Sequence, residues 1–443
     1  MVTTRIAPSP TGLFHIGTAR TALINYIFAK QNNGEFLLRM EDTDVARNKS
    51  EFEDDIKSGL EWLGLTWDGD IVYQKNRTKR YLDVVDALVK KEKAYTKDGA
   101  IWFKIPEGTI IFHDLIRGEV VFDGADLKDF VIMRSDGSPI FYLSGVVDDH
   151  DSDITHVIRG EEHLSNTPKQ IVLLQALEWE LPTYAHVPLI LNADRSKMSK
   201  RKDPVSITHD FKNKGYLPEA LINYLALLGW HESETQKHVP SNAEGSKLKT
   251  KKSETEIYNL NTLIKIYDVS RMQHGGAIFD REKLENMNHH YIQKMGDDEL
   301  REKLNAYKGD IKNDVYNRYV SITKPRLNKF SDIANDTSWL NNPVDHDPEL
   351  LVFKKSTKDT TLKALNAILT NLPKIVTYEV TKIVDMLQEV VEGNNLQNGD
   401  VFWSARVALS GLEKSPPPAE LMWVLGREET IMRIERAISF LNP

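Results

Sequence analysis

Two short segments hold residues of the kind that handle a polyphosphate. In Pro8-Ser9-Pro10-Thr11-Gly12-Leu13-Phe14-His15-Ile16-Gly17-Thr18, a stiff, turning loop runs into a polar His15 and a small Gly17. The pattern predicts a strand over residues 3–7 before this loop and a helix over 17–29 after it. His15 and Gly17 therefore fall at a helix N-terminus, where free backbone N–H groups and the positive end of the dipole favour an anion. Pro8 and Pro10 restrict the loop and Gly12 lets it double back. His15 can donate to charge building on an α-phosphate, and Gly17 lets the backbone approach a nucleotide. The second segment is Lys197-Met198-Ser199-Lys200-Arg201, flanked by Asp194 and Asp203. Lys197 and Lys200 suit a departing pyrophosphate, Ser199 can hydrogen-bond it, and the run suits a loop that closes over phosphates. Just before it, Leu189-Ile190-Leu191 reads as a strand. The backbone of Leu189 and Ile190 could read an adenine edge there, with plain strand core as the alternative.

These residues need a frame, and the hydrophobic periods supply one. Residues 1–75 read as strand, loop, helix and strand, with Arg5 on the first strand and residues 36–40 on the second. That is the first half of a nucleotide-binding α/β fold, its phosphate loop following the first strand. Residues 76–135 give an amphipathic helix and then strand-like stretches such as Ile101-Trp102-Phe103-Lys104-Ile105. Residues 136–232 complete the α/β pattern. Residues 233–253 are polar, contain Lys247, Lys249, Lys251 and Lys252, and have no apolar period, as expected of a loop between domains. From residue 254 the period is helical almost to the end, with Pro416-Pro417-Pro418 separating two helices.

Composition excludes several classes. Hydrophobic residues at 40% and charged ones at 28% fit a soluble globular chain, not a disordered one. No apolar run nears the roughly 20 residues that cross a bilayer, and the strand-like start does not resemble a secretion signal. The expectation is a cytoplasmic protein without a membrane partner. With no cysteine, disulfides and thiolate-bound metals are excluded. A net charge of −8 does not exclude a nucleic-acid partner, because binding depends on local basic faces.

The two segments resemble the HIGH and KMSKS signatures of class I aminoacyl-tRNA synthetases, and more narrowly the bacterial glutamyl-tRNA synthetases. The narrower likeness rests on Arg5-Ile6-Ala7-Pro8-Ser9-Pro10-Thr11-Gly12 running into His15-Ile16-Gly17-Thr18, with Thr18 in place of the second histidine. It extends through Arg39-Met40-Glu41-Asp42-Thr43-Asp44, Val146-Val147-Asp148-Asp149-His150, Val157-Ile158-Arg159-Gly160-Glu161-Glu162-His163 and Gly215-Tyr216-Leu217-Pro218-Glu219. The implied fold is a class I Rossmann-type α/β catalytic domain (1–75 and 136–232) with a short α+β insertion (76–135) for the acceptor end of tRNA. A stem-contact region (233–322) and an all-α anticodon-binding domain (323–443) follow.

The resemblance implies activation of L-glutamate by ATP and transfer to tRNA for glutamate, with tRNA for glutamine left open, by a monomer. Pro8, His15, Gly17, Thr18, Glu162, Leu189, Ile190, Lys197, Met198, Ser199 and Lys200 would bind ATP; His15, Gly17, Lys197 and Lys200 are the catalytic set. Glutamate needs cations for two carboxylates and an anion for its ammonium. Arg5 and Arg159 offer planar two-donor forks, Glu41 the anion, and Ala7, Ser9 and Phe141 further contacts. A structural Arg5–Glu41 ion pair is the alternative. Phe141 stands where the family has a tyrosine; if this segment is a strand, Tyr142 points to the opposite face. Asp148 and Asp149 would bond backbone and orient loops. Asp44, Arg326, Arg406, Arg427 and Arg433 would meet tRNA. Mg²⁺ would arrive with ATP. No zinc is expected, because the insertion has a single histidine, His113, and would hold its shape around Trp102, Phe103, Phe112 and Phe122. Rival readings are a glutamyl-queuosine tRNA(Asp) synthetase and a catalytically silent synthetase-like RNA-binding protein.

Overall fold

The computed structural model describes residues 1–44, 46–198, 203, 205–232, 257–309, 311–334, 338–341 and 347–442. Ser199, Lys200, Arg201 and the polar stretch 233–253 lie outside the described residues. The chain forms two compact units, Met1–Asn288 and His289–Pro443.

The first unit opens with β1 (Thr3–Ile6), α1 (Ile16–Gln31), β2 (Glu35–Met40), α2 (Ser50–Trp62), β3 (Val72–Tyr73) and α3 (Thr78–Lys90). β1, β2 and β3 are parallel neighbours, with Arg5 opposite Leu37. All four residues of β1 are buried, as befits a parallel strand covered on both faces. The helix α1 buries Ala19, Ala22, Leu23, Ile24 and Ile27, so it lies within the core instead of resting one apolar stripe on it. Asn25 ties it down: its Nδ2 donates to the Ile158 carbonyl at 2.9 Å, and its own carbonyl accepts from Thr4 Oγ1 at 3.0 Å.

Next come β4 (Ala94–Lys97), β5 (Ala100–Phe103), β6 (Thr109–Asp114), β7 (Gly118–Asp123), β8 (Phe130–Met133) and α4 (Phe141–Asp151). They are followed by β9 (His156–Gly160), α5 (Thr167–Leu177), β10 (Thr183–Val187) and β11 (Ile190–Leu191). β4, β5 and β8 form a small antiparallel sheet. The β6–β7 hairpin, in contrast, continues the sheet of β9 and β10, with Asp114 beside Tyr184 on β10. This hairpin therefore belongs to the same sheet as the strand carrying Arg159. On the hairpin, Phe112 stacks on Phe122 with centroids 6.4 Å apart, and in the small sheet Phe103 packs against Phe130 at 5.5 Å.

Residues 139–141 do not form a strand. Ile140 is the N-cap of α4 and Phe141 its first residue. A helix serves both surroundings at once: Leu143 and Val147 enter the core, while Phe141, Gly145 and Asp149, one turn apart, line a cavity. Tyr142 faces away from that cavity, against Phe130 at 5.4 Å and under Lys169.

The second unit is helical among its described residues. Its longer helices are Asn313–Thr323, Lys358–Asn371, Val380–Gly393, Pro418–Leu425 and Arg427–Leu441, around Leu365, Ile368, Leu387, Leu421 and Ile434. Thr357 and Thr360 close a capping box at the start of Lys358–Asn371, and Pro418 occupies a first-turn position where its missing N–H is harmless.

Candidate active site

A cavity of about 680 Å³ opens in the first unit where β1, α1, β2, α4, β9 and β11 converge. One end is built on the β1–α1 loop. His15 is the N-cap of α1: its Nδ1 accepts from the Gly17 N–H at 3.1 Å, and its Nε2 lies 3.0 Å from Thr18 Oγ1. A lone pair at Nδ1 places the proton of the neutral ring on Nε2, the nitrogen nearest Thr18. A Cβ at Gly17 would lie 3.0 Å from His15 Cε1, so the glycine also admits the capping ring, a local reason the sequence did not suggest. The loop is pinned from beneath, where the Phe14 N–H donates to Asp55 Oδ2 at 2.6 Å. From the side, the Ile16 N–H donates to the Val205 carbonyl at 2.9 Å.

The opposite wall of this end is the segment 188–191. Glu161 Oε1 accepts from the Leu189 N–H at 2.8 Å, and Arg20 Nη1 donates to the Pro188 carbonyl at 2.7 Å. Glu161 and Arg20 thus hold the backbone expected to read adenine, although only the neighbouring Glu162 was picked from the sequence. Glu162 also lines the cavity, its carboxylate folded against Gly160, where a Cβ would collide with Oε2. Lys197 bridges back to Leu191, and the Met198 N–H donates to the Ile190 carbonyl at 3.3 Å. Of the Lys-Met-Ser-Lys run, the structure therefore brings Lys197 and Met198 to the cavity.

The other end is densely charged. Arg5 donates through Nε to Asp149 Oδ1 at 2.9 Å and through Nη2 to Oδ2 at 3.3 Å. Arg39 donates to the same Asp149 Oδ1 at 2.5 Å and to Glu41 Oε1 at 3.2 Å. Asp149 therefore pairs with two arginines. Burial disfavours its charge, but Arg39 and Arg5 outweigh that and hold its carboxyl at about 2. Burial pushes the Glu41 carboxyl up, against the pull of Arg39 and Arg5. The expected Arg5–Glu41 alternative is replaced by Arg5–Asp149 and Arg39–Glu41. Nor, among the described residues, do the Asp148 and Asp149 carboxylates bond backbone. Both sit inside α4, where the peptide groups bond within the helix, so their carboxylates meet side chains. Asp148 accepts from Gln74 at 2.7 Å, Arg77 at 2.6 Å and the Tyr81 hydroxyl at 2.8 Å.

Arg159 completes this end. It is 7% exposed, and no carboxylate lies within ion-pair distance among the described residues. Its Nη2 donates to Thr167 Oγ1 at 2.8 Å and its Nε to His186 Nε2 at 3.3 Å. Burial, together with the like charge of Arg5, pushes its guanidinium down to about 10, still charged at neutral pH. Three guanidiniums thus face two carboxylates, leaving one positive charge over. The field is felt nearby: burial, with Arg159 and Arg5, pushes the His163 imidazole down to about 4. Phe141 stacks on that ring at 5.2 Å, and Ala7, Pro8 and Ser9 line the adjoining wall. Gln170, 3% exposed, opens onto the cavity beside Gly145 and was not foreseen. Arg39 could have been found, since it lies near the end of β2 only two positions before Glu41. Asp149 could not, because its partners are distant in sequence. Among the described residues no group of three or more His, Asp or Glu could hold a metal ion.

The positions expected to meet tRNA differ among themselves. Asp44 is at the surface, paired with Arg47. Arg326 reaches Glu420 at 2.8 Å, Arg427 donates to the Pro373 and Ile375 carbonyls across the Tyr378 ring, and Arg406 is half-buried. Arg433 requires correction: it is 2% exposed, bonded to Glu429 and to the Leu409 carbonyl at 2.7 Å each, and cannot reach a partner molecule.

Comparison with known proteins agrees with this geometry. The catalytic-domain model of class I tRNA synthetases (E and Q) matches residues 1–100 and 97–286, and an anticodon-binding-domain model matches 277–438. The chain is 35% identical over 492 residues to glutamate–tRNA ligase 2 of Thermoanaerobacter pseudethanolicus, covering all of this chain and 98% of that protein. It is 35% identical over 497 residues to the glutamate–tRNA ligase of Dehalococcoides mccartyi, with the same coverage. A glutamate tRNA ligase from Elizabethkingia meningosepticum, solved with its amino acid, superposes with a TM-score of 0.82 at 27% identity over 99% of each chain. The chain therefore belongs to the glutamate–tRNA ligase family of class I tRNA synthetases.

Proposed function

We propose that this chain joins L-glutamate to tRNA. In the first step a glutamate carboxylate oxygen attacks the α-phosphorus of ATP; the bond to the bridging oxygen breaks and pyrophosphate leaves. In the second, the terminal ribose hydroxyl of tRNA attacks the activated carbonyl and AMP departs. One observation carries the reading: a single cavity joins a helix N-terminus capped by His15 to a buried pocket with one uncompensated positive charge. Glutamate brings two carboxylates and one ammonium, a net charge that cancels the surplus.

Within this reading His15 Nε2–H and the α1 N-terminus stabilise charge growing on the α-phosphate, and Lys197 with Lys200 attract the pyrophosphate. Leu189 and Ile190 present their backbone to adenine. Arg159 and Arg5 bind carboxylates, Glu41 the ammonium. No covalent intermediate on the protein is needed; the rate comes from positioning and fixed charge. Mg²⁺ accompanies ATP on its phosphate oxygens as part of the substrate complex, and no zinc is required. Residues 76–135 are assigned to the acceptor end, 233–322 to the stem and 323–443 to the anticodon, in a cytoplasmic monomer. The match to an anticodon-binding model over 277–438 disfavours the glutamyl-queuosine reading, because that enzyme lacks the helical half.

Glutamate-dependent exchange of pyrophosphate into ATP, run with and without tRNA, tests the first step; charging of tRNA for glutamate tests the second. Absence of both would leave only the silent RNA-binding reading.

A further inference from the structure

The hydrogen bonds around Arg159 continue inward to two buried residues that lie behind the lining of this cavity. His186, on β10, and Asp114, at the end of β6, are both fully buried. His186 Nδ1 lies 2.6 Å from Asp114 Oδ2. The opposite nitrogen, Nε2, lies 2.9 Å from Thr167 Oγ1 and accepts from Arg159 Nε at 3.3 Å. Asp114 Oδ1 is already occupied by the Ile116 and Arg117 N–H groups, each at 2.9 Å. These contacts admit one arrangement of the neutral ring. Nδ1 carries the proton and donates a hydrogen bond to Asp114, while Nε2 offers its lone pair toward Arg159.

We infer that His186, oriented by Asp114, is a positioning residue for Arg159: it fixes the guanidinium through a neutral acceptor and leaves its charge for the substrate carboxylate. A carboxylate at position 186 would hold the arginine equally well but would neutralise it and compete with the ligand. Interposing an imidazole and the Thr167 hydroxyl keeps Asp114 one side chain away from the guanidinium. Burial, aided by Arg159, favours the uncharged ring over the pull of Asp114. The β6–β7 hairpin thereby gains a second task, since Asp114 is its contribution to the amino-acid end.

This inference rests on the reading of the cavity as a glutamate site, and the experiment separates the two. Glutamate KM, ATP KM and kcat for tRNA charging, L-glutamate binding by calorimetry and the melting temperature are measured for Asp114→Asn, His186→Leu and His186→Gln. In Asp114→Asn the amide oxygen keeps the two backbone bonds while its NH₂ faces Nδ1. The ring must then carry its proton on Nε2, against Arg159. Losing a hydrogen bond to a charged group should raise glutamate KM about tenfold in Asp114→Asn and in His186→Leu, with kcat and ATP KM near parental values. In His186→Gln, whose amide offers a donor to Asp114 and an acceptor to Arg159, most of that loss should be recovered. Unchanged glutamate KM and affinity in both Asp114→Asn and His186→Leu overturns the assignment, as does an equal shift in ATP KM or a His186→Gln no better than His186→Leu. Should His186→Leu fail to fold, Asp114→Asn and His186→Gln decide by the same criteria. A parental protein that binds no L-glutamate would instead overturn the reading of the cavity.

Discussion

Arg159 and Arg433 are both buried arginines, and they are satisfied in opposite ways. In the helical unit, Arg433 is neutralised by Glu429 and finishes its bonds on the Leu409 carbonyl. In the cavity, Arg159 is held by a hydroxyl and an imidazole, with no carboxylate in reach among the described residues. Burying a charge without a counter-ion is costly, so such a group persists where a ligand supplies the missing anion. Arg5 and Arg39 lie between these extremes, sharing Asp149. On the proposed reading, what separates an arginine that builds the fold from one that awaits a substrate is the identity of its partners, since burial is common to both.

Asp149 gives the largest expected effect. Removing it in Asp149→Ala leaves Arg5 and Arg39 buried with Glu41 as the remaining partner of Arg39, and should destabilise the unit by about 3–5 kcal/mol. Denaturant unfolding of the first unit measures it; a loss under ~1 kcal/mol would mean that the triad is not holding β1 to α4. The pH dependence has a fixed sign. The folded carboxyl is held at about 2, below its unfolded value, so the stabilisation is present above roughly pH 4 and fades as pH falls toward 2.

Next in size is the direct exchange between the two arginines. Arg159→Met should weaken L-glutamate by about 100-fold, the order expected for a lost charge-assisted carboxylate contact, and should not lower the melting temperature. Arg433→Met should do the reverse, because Glu429 and the Leu409 carbonyl lose their partner. Equal losses of glutamate affinity in the two variants would abolish the distinction.

How much of this was legible in the sequence follows from the same contrast. The loop-to-helix geometry was readable because its parts are neighbours: a strand, a turning loop, a capping side chain and a glycine within one short stretch. That Arg5, Glu41 and Arg159 line one cavity was readable because the resemblance marks them together. The pairing that organises them was not, since Asp149 lies 144 positions from Arg5 and 110 from Arg39. Whether residues 139–141 form a strand or open a helix was not legible, because short apolar runs have no period that separates strand from buried helix. In the helical unit single arginines carried no neighbouring pattern, and Arg433 could not be told from Arg326 before burial was known.

His163 offers a smaller effect on the same field. Burial and the charges of Arg159 and Arg5 keep its ring neutral down to about pH 4, whereas the unfolded ring protonates near 6.5. The folded value is depressed, so this group's contribution to stability is complete above about pH 6.5 and declines as pH falls toward 4. His163→Gln should flatten that part of the stability–pH curve, and Arg159→Met should flatten it partly, by removing one source of the field. A curve unchanged in His163→Gln would show that other groups set the slope.

The smallest expected change belongs to the surface of the helical unit. Arg326 is 45% exposed along its side chain and shares Glu420 in an ion pair of the kind worth under ~1 kcal/mol. Arg326→Ala should therefore leave stability almost untouched. If its guanidinium leaves Glu420 for a tRNA phosphate, tRNA affinity should fall a few-fold, uniformly across tRNA sequences. The slope of log affinity against log salt should drop by about one phosphate contact. Arg433→Met provides the internal standard, because a side chain sealed between Glu429 and Leu409 has no phosphate to release. An Arg433→Met slope reduced as much as that of Arg326→Ala, in protein that remains folded, would mean that burial fails to separate structural from RNA-facing arginines in this unit.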